Sequence, residues 1–123
     1  MSKLGLGTVQ FGMNYGVANE TGKINLSEAK KIFQLAKDHN INLIDTAITY
    51  GDSQKVIGKI ENSNFNIVSK LPPIPETNLN VDIWINNLIK DSLNHLKINT
   101  LYGLLLHQPK NLLGEVGKKL IDA

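Results

Sequence analysis

The fold is decided by residues 42–58, which have the sequence NLIDTAITYGDSQKVIG. The stretch begins as an apolar segment typical of a buried strand, and the apolar run stops at Asp45. Tyr50 follows in the predicted loop, and Asp52 or Ser53 is suited to cap the next helix. A carboxylate at a strand end and a tyrosine in the loop beyond it face the same rim of a parallel α/β scaffold. Such scaffolds build their active sites at that rim.

Strand and helix patterns alternate along the whole chain. This alternation predicts an α/β fold with parallel strands joined by right-handed crossovers. It is compatible with a doubly wound sheet and with a barrel of eight β/α units. The fourth strand is apolar almost throughout, which predicts burial on both faces. The predicted strands are 3–11, 42–46, 65–70 and 101–107, and the predicted helices are 25–39, 53–61, 81–96 and 111–123.

The composition is that of an ordinary globular protein. The chain has 123 residues, of which 41% are hydrophobic and 20% charged, and its net charge is +2. Every basic residue is a lysine, and the lack of arginine and of a basic stripe argues against nucleic-acid binding. No cysteine is present, which excludes a disulfide framework and a thiolate metal site. We find no signal sequence and no membrane-spanning run, so a cytoplasmic location is expected.

Ionisable residues end three consecutive predicted strands. Asp45, Lys70 and His107 each follow an apolar run, and Tyr50 lies in the loop after the first of them. Taken singly, such residues are most often turn formers, solvated side chains or structural histidines. Because the carboxyl ends of parallel strands converge, we predict that these four form one site.

The four side chains suit acid catalysis at a carbonyl oxygen. A phenol is a weak proton donor at neutral pH, and a neighbouring ammonium stabilises the phenolate. A carboxylate can hold the ammonium in place, and an imidazole can hydrogen-bond the carbonyl oxygen. The set predicts protonation of an oxygen that gains negative charge, as when hydride adds to an aldehyde or ketone. A different use of Lys70, as an amine that forms a Schiff base, stays open.

Four short motifs resemble the aldo-keto reductases. They are LGLGT at residues 4–8, DTAITYG at 45–51, IVSK at 67–70 and LLHQP at 105–109. Their order and spacing are similar to the family over essentially the whole chain. The resemblance implies a (β/α)8 TIM barrel and an oxidoreductase that uses NADPH or NADH. Its implied reaction is the reduction of small aldehydes and ketones, or the oxidation of alcohols, by hydride transfer.

The resemblance also implies a role for each of the four residues. Tyr50 corresponds to the general acid, and Lys70 and Asp45 to the pair that tunes it. His107 corresponds to the residue that positions the carbonyl group.

Further residues are implied to contact ligands. Gly7, Thr8 and Val9, together with Asp45, correspond to positions near the nicotinamide end of the cofactor. Gln108 stands where many members of the family carry tryptophan, so an aromatic wall of the substrate pocket is replaced by an amide.

The family's barrel is about twice as long as this chain. We therefore expect residues 1–123 to be the N-terminal part of such a barrel, about four β/α units with no internal boundary. Most of the cofactor site then lies in later strands, and the fragment alone is predicted to be inactive. The unpaired edges of the first and fourth strands are expected to favour self-association. The alternative is a non-catalytic half-barrel module that assembles with another chain.

Two other kinds of site are not predicted. Gly5 and Gly7 begin a dinucleotide fingerprint, but Gln10 occupies the position of its third glycine. His107 has no second histidine or carboxylate at ligand spacing, so no metal site is expected.

Overall fold

The computed structural model describes residues 3–16, 22–75 and 79–123. Within them, four strands form one parallel sheet in the order β1-β2-β3-β4, which confirms the predicted β/α units. The strands are β1 (Gly5–Gly7), β2 (Leu43–Asp45), β3 (Asn66–Leu71) and β4 (Gly103–Leu106). The helices are α1 (Val9–Gly12), α2 (Leu26–Asp38), α3 (Ser53–Ile57), α4 (Val81–Leu96) and α5 (Gly114–Asp122), and a 3-10 turn spans Pro109–Leu112.

Side chains that alternate along the strands divide the sheet into two faces. The helix-covered face includes Leu6, Ile44 and Ile67, which are register neighbours in β1, β2 and β3 and pack against the helices. Ile44 is 0% and Ile67 2% exposed. Leu71 continues this face into a second apolar cluster with α4 and α5. Full burial of each such side chain stabilises the fold by about 1.5–3 kcal/mol, so this face carries the hydrophobic core.

The open face of the sheet carries the intervening residues Gly7, Asp45, Val68, Lys70 and Leu105. Gly7 pairs with Asp45 across β1 and β2, and Lys70 pairs with Leu105 across β3 and β4. Leu105 is 49% exposed, so the prediction that β4 is buried on both faces is wrong. The helices pack on the other face, and no layer formed by the described residues covers this one.

The first strand is shorter than the sequence suggests. The prediction of one strand over residues 3–11 is wrong after Gly7, because Thr8 bends the chain toward β2. Its N–H and its hydroxyl both donate to the Asp45 carbonyl, at 3.1 and 2.8 Å. Helix α1 follows and turns Phe11 into the core, where it is 2% exposed. A continued strand would have placed Phe11 on the open face, away from that core.

Helix α2 begins and ends as the sequence predicts. Asn25 caps it, because its side-chain oxygen accepts the Glu28 N–H at 2.9 Å. Just beyond the helix, Asn40 adopts the left-handed conformation with φ 57°, which stops further helical hydrogen bonding.

Two later helices differ in extent from the prediction. Helix α3 ends at Ile57 rather than near residue 61. The last predicted helix is divided into the 3-10 turn and α5, which begins at Gly114 with a φ of +73°. None of the helices in the described ranges is both long and apolar enough to cross a membrane.

Candidate active site

The loop between β2 and α3 holds Tyr50 beside the end of β3. Two backbone bonds continue the β2–β3 pairing into this loop. The Thr46 N–H donates to the Val68 carbonyl at 2.9 Å, and the Ile48 N–H donates to the Lys70 carbonyl at 3.2 Å. The loop is therefore fixed to the strand that supplies Lys70 before it turns toward α3.

Two glycines allow this loop to pack closely against α1. Gly51 has a φ of +53°, which glycine adopts without strain. A Cβ atom on Gly51 would collide with the Gly12 carbonyl oxygen, and one on Gly12 would collide with the Tyr50 carbonyl oxygen. Contact between the two backbones thus sets the height of the Tyr50 loop above the sheet.

Lys70 connects the carboxylate and the phenol of the candidate site. Its Nζ donates to both carboxylate oxygens of Asp45 at 2.7 Å and lies 3.4 Å from the Tyr50 hydroxyl oxygen. It also lies 3.3 Å from the Thr46 carbonyl. The lysine side chain is 17% exposed and the aspartate side chain 41%. The charges are therefore paired at the rim of the sheet, where water still reaches the carboxylate.

His107 completes the group from the end of β4. Its ring meets the Tyr50 ring edge to face, with centroids 5.9 Å apart and an angle of 87° between the planes. The Lys70 ammonium lies 5.1 Å from the centroid of the same tyrosine ring. The structure thus brings together all four predicted residues, delivered by three adjacent strands and one loop.

This arrangement favours a proton donor over an amine nucleophile. A Schiff-base lysine must be free to attack a carbonyl carbon. The Lys70 nitrogen is instead engaged by Asp45 and the Thr46 carbonyl, with its remaining contact directed to Tyr50. A cation beside a phenol stabilises the phenolate that remains after the proton is given away.

The other predicted ligand residues lie around the same rim in different environments. Gly7 is exposed beside Asp45, and a Cβ atom placed on it would meet no atom within 4 Å. Val9 and Gln108 are half-buried. Thr8 is 0% exposed and uses its hydroxyl inside the protein. The Thr8 side chain therefore holds the backbone of Asp45, and its contact with a cofactor stays a prediction.

A buried group that the sequence did not indicate lies beneath the Tyr50 loop. We call Thr8, Thr46 and Ser53 the hydroxyl cluster, because their side chains meet and all three are 0% exposed. Ser53 was a candidate helix cap, but the residue at the N-cap position of α3 is Asp52, which makes no capping bond with its side chain. Asp52 instead pairs with Lys23 at 3.2 Å.

The candidate site does not coincide with a large cavity on the opposite rim of the sheet. A cavity of about 780 Å³ lies at the opposite rim, near the amino-terminal ends of β3 and β4, and no residue of the candidate site lines it. Enzymes built on parallel strands place their chemistry at the carboxyl-terminal rim, where the four predicted residues lie. In the described part of the chain, no three His, Cys, Asp or Glu side chains are grouped to hold a metal ion.

Comparison of sequences assigns the chain to a family. The sequence model of the aldo/keto reductase family matches residues 3–114. The chain belongs to the aldo-keto reductase family. Comparison with curated proteins finds none that matches it.

Solved structures show the same fold. A crystal structure assigned to the aldo-keto reductases, from Pseudomonas aeruginosa, matches with a TM-score of 0.78 and 31% identity, over 98% of this chain and 50% of that one. A thermostable aldo-keto reductase in complex with the inhibitor epalrestat has a TM-score of 0.69 and 24% identity, over 99% and 44%. An aldo-keto reductase from Klebsiella pneumoniae in complex with NADPH has a TM-score of 0.61 and 23% identity, over 96% and 40%.

The chain spans half or less of the length of these aldo-keto reductases. Its parallel sheet with alternating helices is the arrangement of half a (β/α)8 barrel, so the predicted fold class is confirmed. The family resemblance of the sequence motifs is confirmed as well.

Proposed function

We propose that this chain carries the proton-donating part of an active site that reduces small aldehydes and ketones with NADPH or NADH. The same site would oxidise alcohols in the reverse direction. The observation that supports this most directly is the position of Lys70. Its Nζ is bound to both oxygens of Asp45 at 2.7 Å and reaches the Tyr50 hydroxyl at 3.4 Å.

Each of the four side chains has one task in this proposal. Tyr50 gives its phenol proton to the carbonyl oxygen as negative charge develops there. Lys70 stabilises the phenolate that is left, and Asp45 keeps the ammonium in position. His107, whose ring lies against that of Tyr50, hydrogen-bonds the carbonyl oxygen and directs it toward the phenol. Gln108 follows His107 and lines the substrate side of the rim.

The residues on the β1 side fit a nicotinamide cofactor. When bound, such a cofactor supplies the hydride. A Cβ placed on Gly7 would meet no atom within 4 Å, so the described residues leave the open face beside Asp45 accessible to a ligand. We assign Gly7, Val9 and Asp45 to cofactor contact, and Thr8 to holding Asp45 through its carbonyl.

The site is incomplete within residues 1–123, and we infer that these residues alone do not turn over substrate. Only the β1 side of a cofactor site is identified among the described residues. The open face also leaves its apolar side chains uncovered, as the 49% exposure of Leu105 shows. A second set of β/α units is needed to close the barrel over this face.

A chimera tests the proposal. Residues 1–123 are joined to the complementary half of the Pseudomonas aeruginosa protein, which is 31% identical over the shared part. We expect the chimera to oxidise NADPH in the presence of nitrobenzaldehyde and residues 1–123 alone to show no turnover. A folded chimera that binds NADPH but never reduces the aldehyde would contradict the proposed function. Turnover by residues 1–123 alone at ordinary enzyme rates would contradict their proposed incompleteness.

A second candidate is a non-catalytic half-barrel that assembles with another chain or with itself. The strand edges favour it, because β1 and β4 each pair on one side only within the described residues. Titration of the chimera with NADPH, followed by the fluorescence of the cofactor, separates the two candidates. A completed reductase barrel binds the cofactor, whereas a bare module does not. Sedimentation velocity tests self-association, and a monomer at all concentrations would argue against pairing through the edges.

A further inference from the structure

The hydroxyl cluster (Thr8, Thr46 and Ser53) forms a closed set of hydrogen bonds. The Thr8 hydroxyl donates to the Asp45 carbonyl at 2.8 Å. The Ser53 hydroxyl donates to the Thr8 carbonyl at 2.9 Å. Because the Ser53 proton is then used, the Thr46 hydroxyl is the donor in its 3.1 Å contact with the Ser53 oxygen. The Ser53 hydroxyl also lies 3.0 Å from the Thr8 hydroxyl oxygen, so both of its acceptors belong to Thr8 and each of the three buried hydroxyl protons has an acceptor.

Ser53 ties the Tyr50 loop to the strands through this cluster. Its N–H donates to the Tyr50 carbonyl at 3.0 Å, so backbone and side chain of one residue connect the loop to Thr8, which directly follows β1. The next residue, Gln54, is 5% exposed and donates from Nε2 to the Ser69 hydroxyl at 2.7 Å. Ser69 directly precedes Lys70 in β3. The first turn of α3 is therefore bonded both to Thr8, whose hydroxyl binds the Asp45 carbonyl, and to the strand that supplies Lys70.

A buried serine elsewhere in the chain, Ser92, differs from Ser53 in its bonding. Ser92 in α4 is 1% exposed, and its hydroxyl has no hydrogen-bond partner among the described residues. A buried hydroxyl without a partner contributes only its desolvation penalty, whereas a bonded one fixes the groups that it joins. The two serines are thus equal in burial and opposite in bonding.

We propose that Ser53 is a positioning residue that holds the Tyr50 phenol against Lys70 and His107. The inference deepens the proposed function, on which it rests, by naming the residue that orients the proton donor. Ser53 itself touches neither substrate nor cofactor. It acts through the loop, which is bonded to β3 at one end and to the hydroxyl cluster at the other.

The test measures ring contacts by nuclear Overhauser effects in the full chain. The Tyr50–His107 contact, with ring centroids 5.9 Å apart, reports on the site. The Phe33–Phe65 contact, with centroids 5.0 Å apart, reports on the core. In Ser53→Ala we expect most of the Tyr50–His107 cross-peak intensity to be lost while the Phe33–Phe65 cross-peaks remain.

Ser92→Ala is the matched control, because it removes an equally buried hydroxyl that bonds to nothing among the described residues. We expect both sets of cross-peaks to be unchanged in it. Thr46→Val should weaken the Tyr50–His107 cross-peaks less than Ser53→Ala, since Ser53 keeps its bond to Thr8. Thr46→Ser, which keeps the hydroxyl, should leave them as they are.

Each result supports or overturns the positioning role. Full Tyr50–His107 intensity in Ser53→Ala overturns it. If Ser53→Ala loses both contacts, the two Thr46 variants decide. Loss of the Tyr50–His107 cross-peaks alone in Thr46→Val, together with full intensity in Thr46→Ser, supports the role. Any other outcome overturns it. The measurement needs no cofactor or carbonyl compound. A chimera with ordered rings and no turnover would thus refute the proposed function while leaving the role of Ser53 intact.

Discussion

The two faces of the four-stranded sheet differ in burial and in chemistry. On the helix-covered face, Ile44, Ile67 and Leu71 are at most 2% exposed. On the open face, Leu105 is 49% exposed, and the Lys70–Asp45 pair lies at the rim. The same strands therefore supply hydrophobic stabilisation on one side and the polar groups of the candidate site on the other. Stability and activity should be separable by mutation, according to the face on which a residue lies.

The largest difference between the effect on activity and the effect on stability is expected at Tyr50. In the active chimera, Tyr50→Phe removes the proton donor and should lower kcat by roughly 10²–10⁴-fold, as loss of a positioned general acid does. The unfolding midpoint in urea should change little, because the hydroxyl lies on the rim and its hydrogen-bond contact among the described residues is the long one to Lys70, at 3.4 Å. Wild-type turnover in Tyr50→Phe would show that the proton comes from another group.

Two leucines compare the faces directly. Leu71→Ala on the helix-covered face should lower the free energy of unfolding by about 2–5 kcal/mol, as large-to-small changes in a packed core do. Leu105→Ala on the open face should lower it by about 1 kcal/mol or less, since half of that side chain already meets water. Urea denaturation of the chain measures both. Equal losses would mean that the open face is covered in solution, which is the result expected of a self-associated half-barrel.

The smallest effect is expected at an ion pair outside the sheet. Lys23 and Asp52 are 3.2 Å apart, with side chains 43% and 59% exposed. Exposed pairs of this kind contribute about 0–1 kcal/mol, and salt screens them. Lys23→Gln should therefore change stability and chimera turnover very little. Lys31→Gln, which breaks a similarly exposed pair with Glu28, is its control. A large loss of chimera turnover in Lys23→Gln, but not in Lys31→Gln, would assign the α1–α2 connection to the site.

Three of the four site residues could be placed on one rim because each stands at the end of an apolar run. Parallel strands bring their carboxyl ends together whatever the loops between them do, so Asp45, Lys70 and His107 had to share one rim. The position of Tyr50 within the loop depended on contacts that its own segment does not contain. The family resemblance, and not the local pattern, indicated its role.

The support of the site could not be predicted in the same way. Ser53 follows Asp52 at a helix start, which is the pattern of a cap, and only the folded chain places the Thr8 carbonyl beside its hydroxyl. The local pattern placed Phe11 in a strand, but in the structure it lies in helix α1 and packs into the core. The apolar run of β4 predicted a strand buried on both faces. Such a run does not show which residues cover each face, and the described residues cover only one.

The contact between Gly12 and Gly51 limits how this scaffold can be engineered. At each position any side chain larger than hydrogen would overlap a carbonyl oxygen of the opposing segment. In a saturation library, variants that retain the proton donor should therefore keep glycine at both codons. Efforts to change substrate preference are better spent on Gln108, whose half-buried amide follows His107 of the candidate site and is free of that restriction.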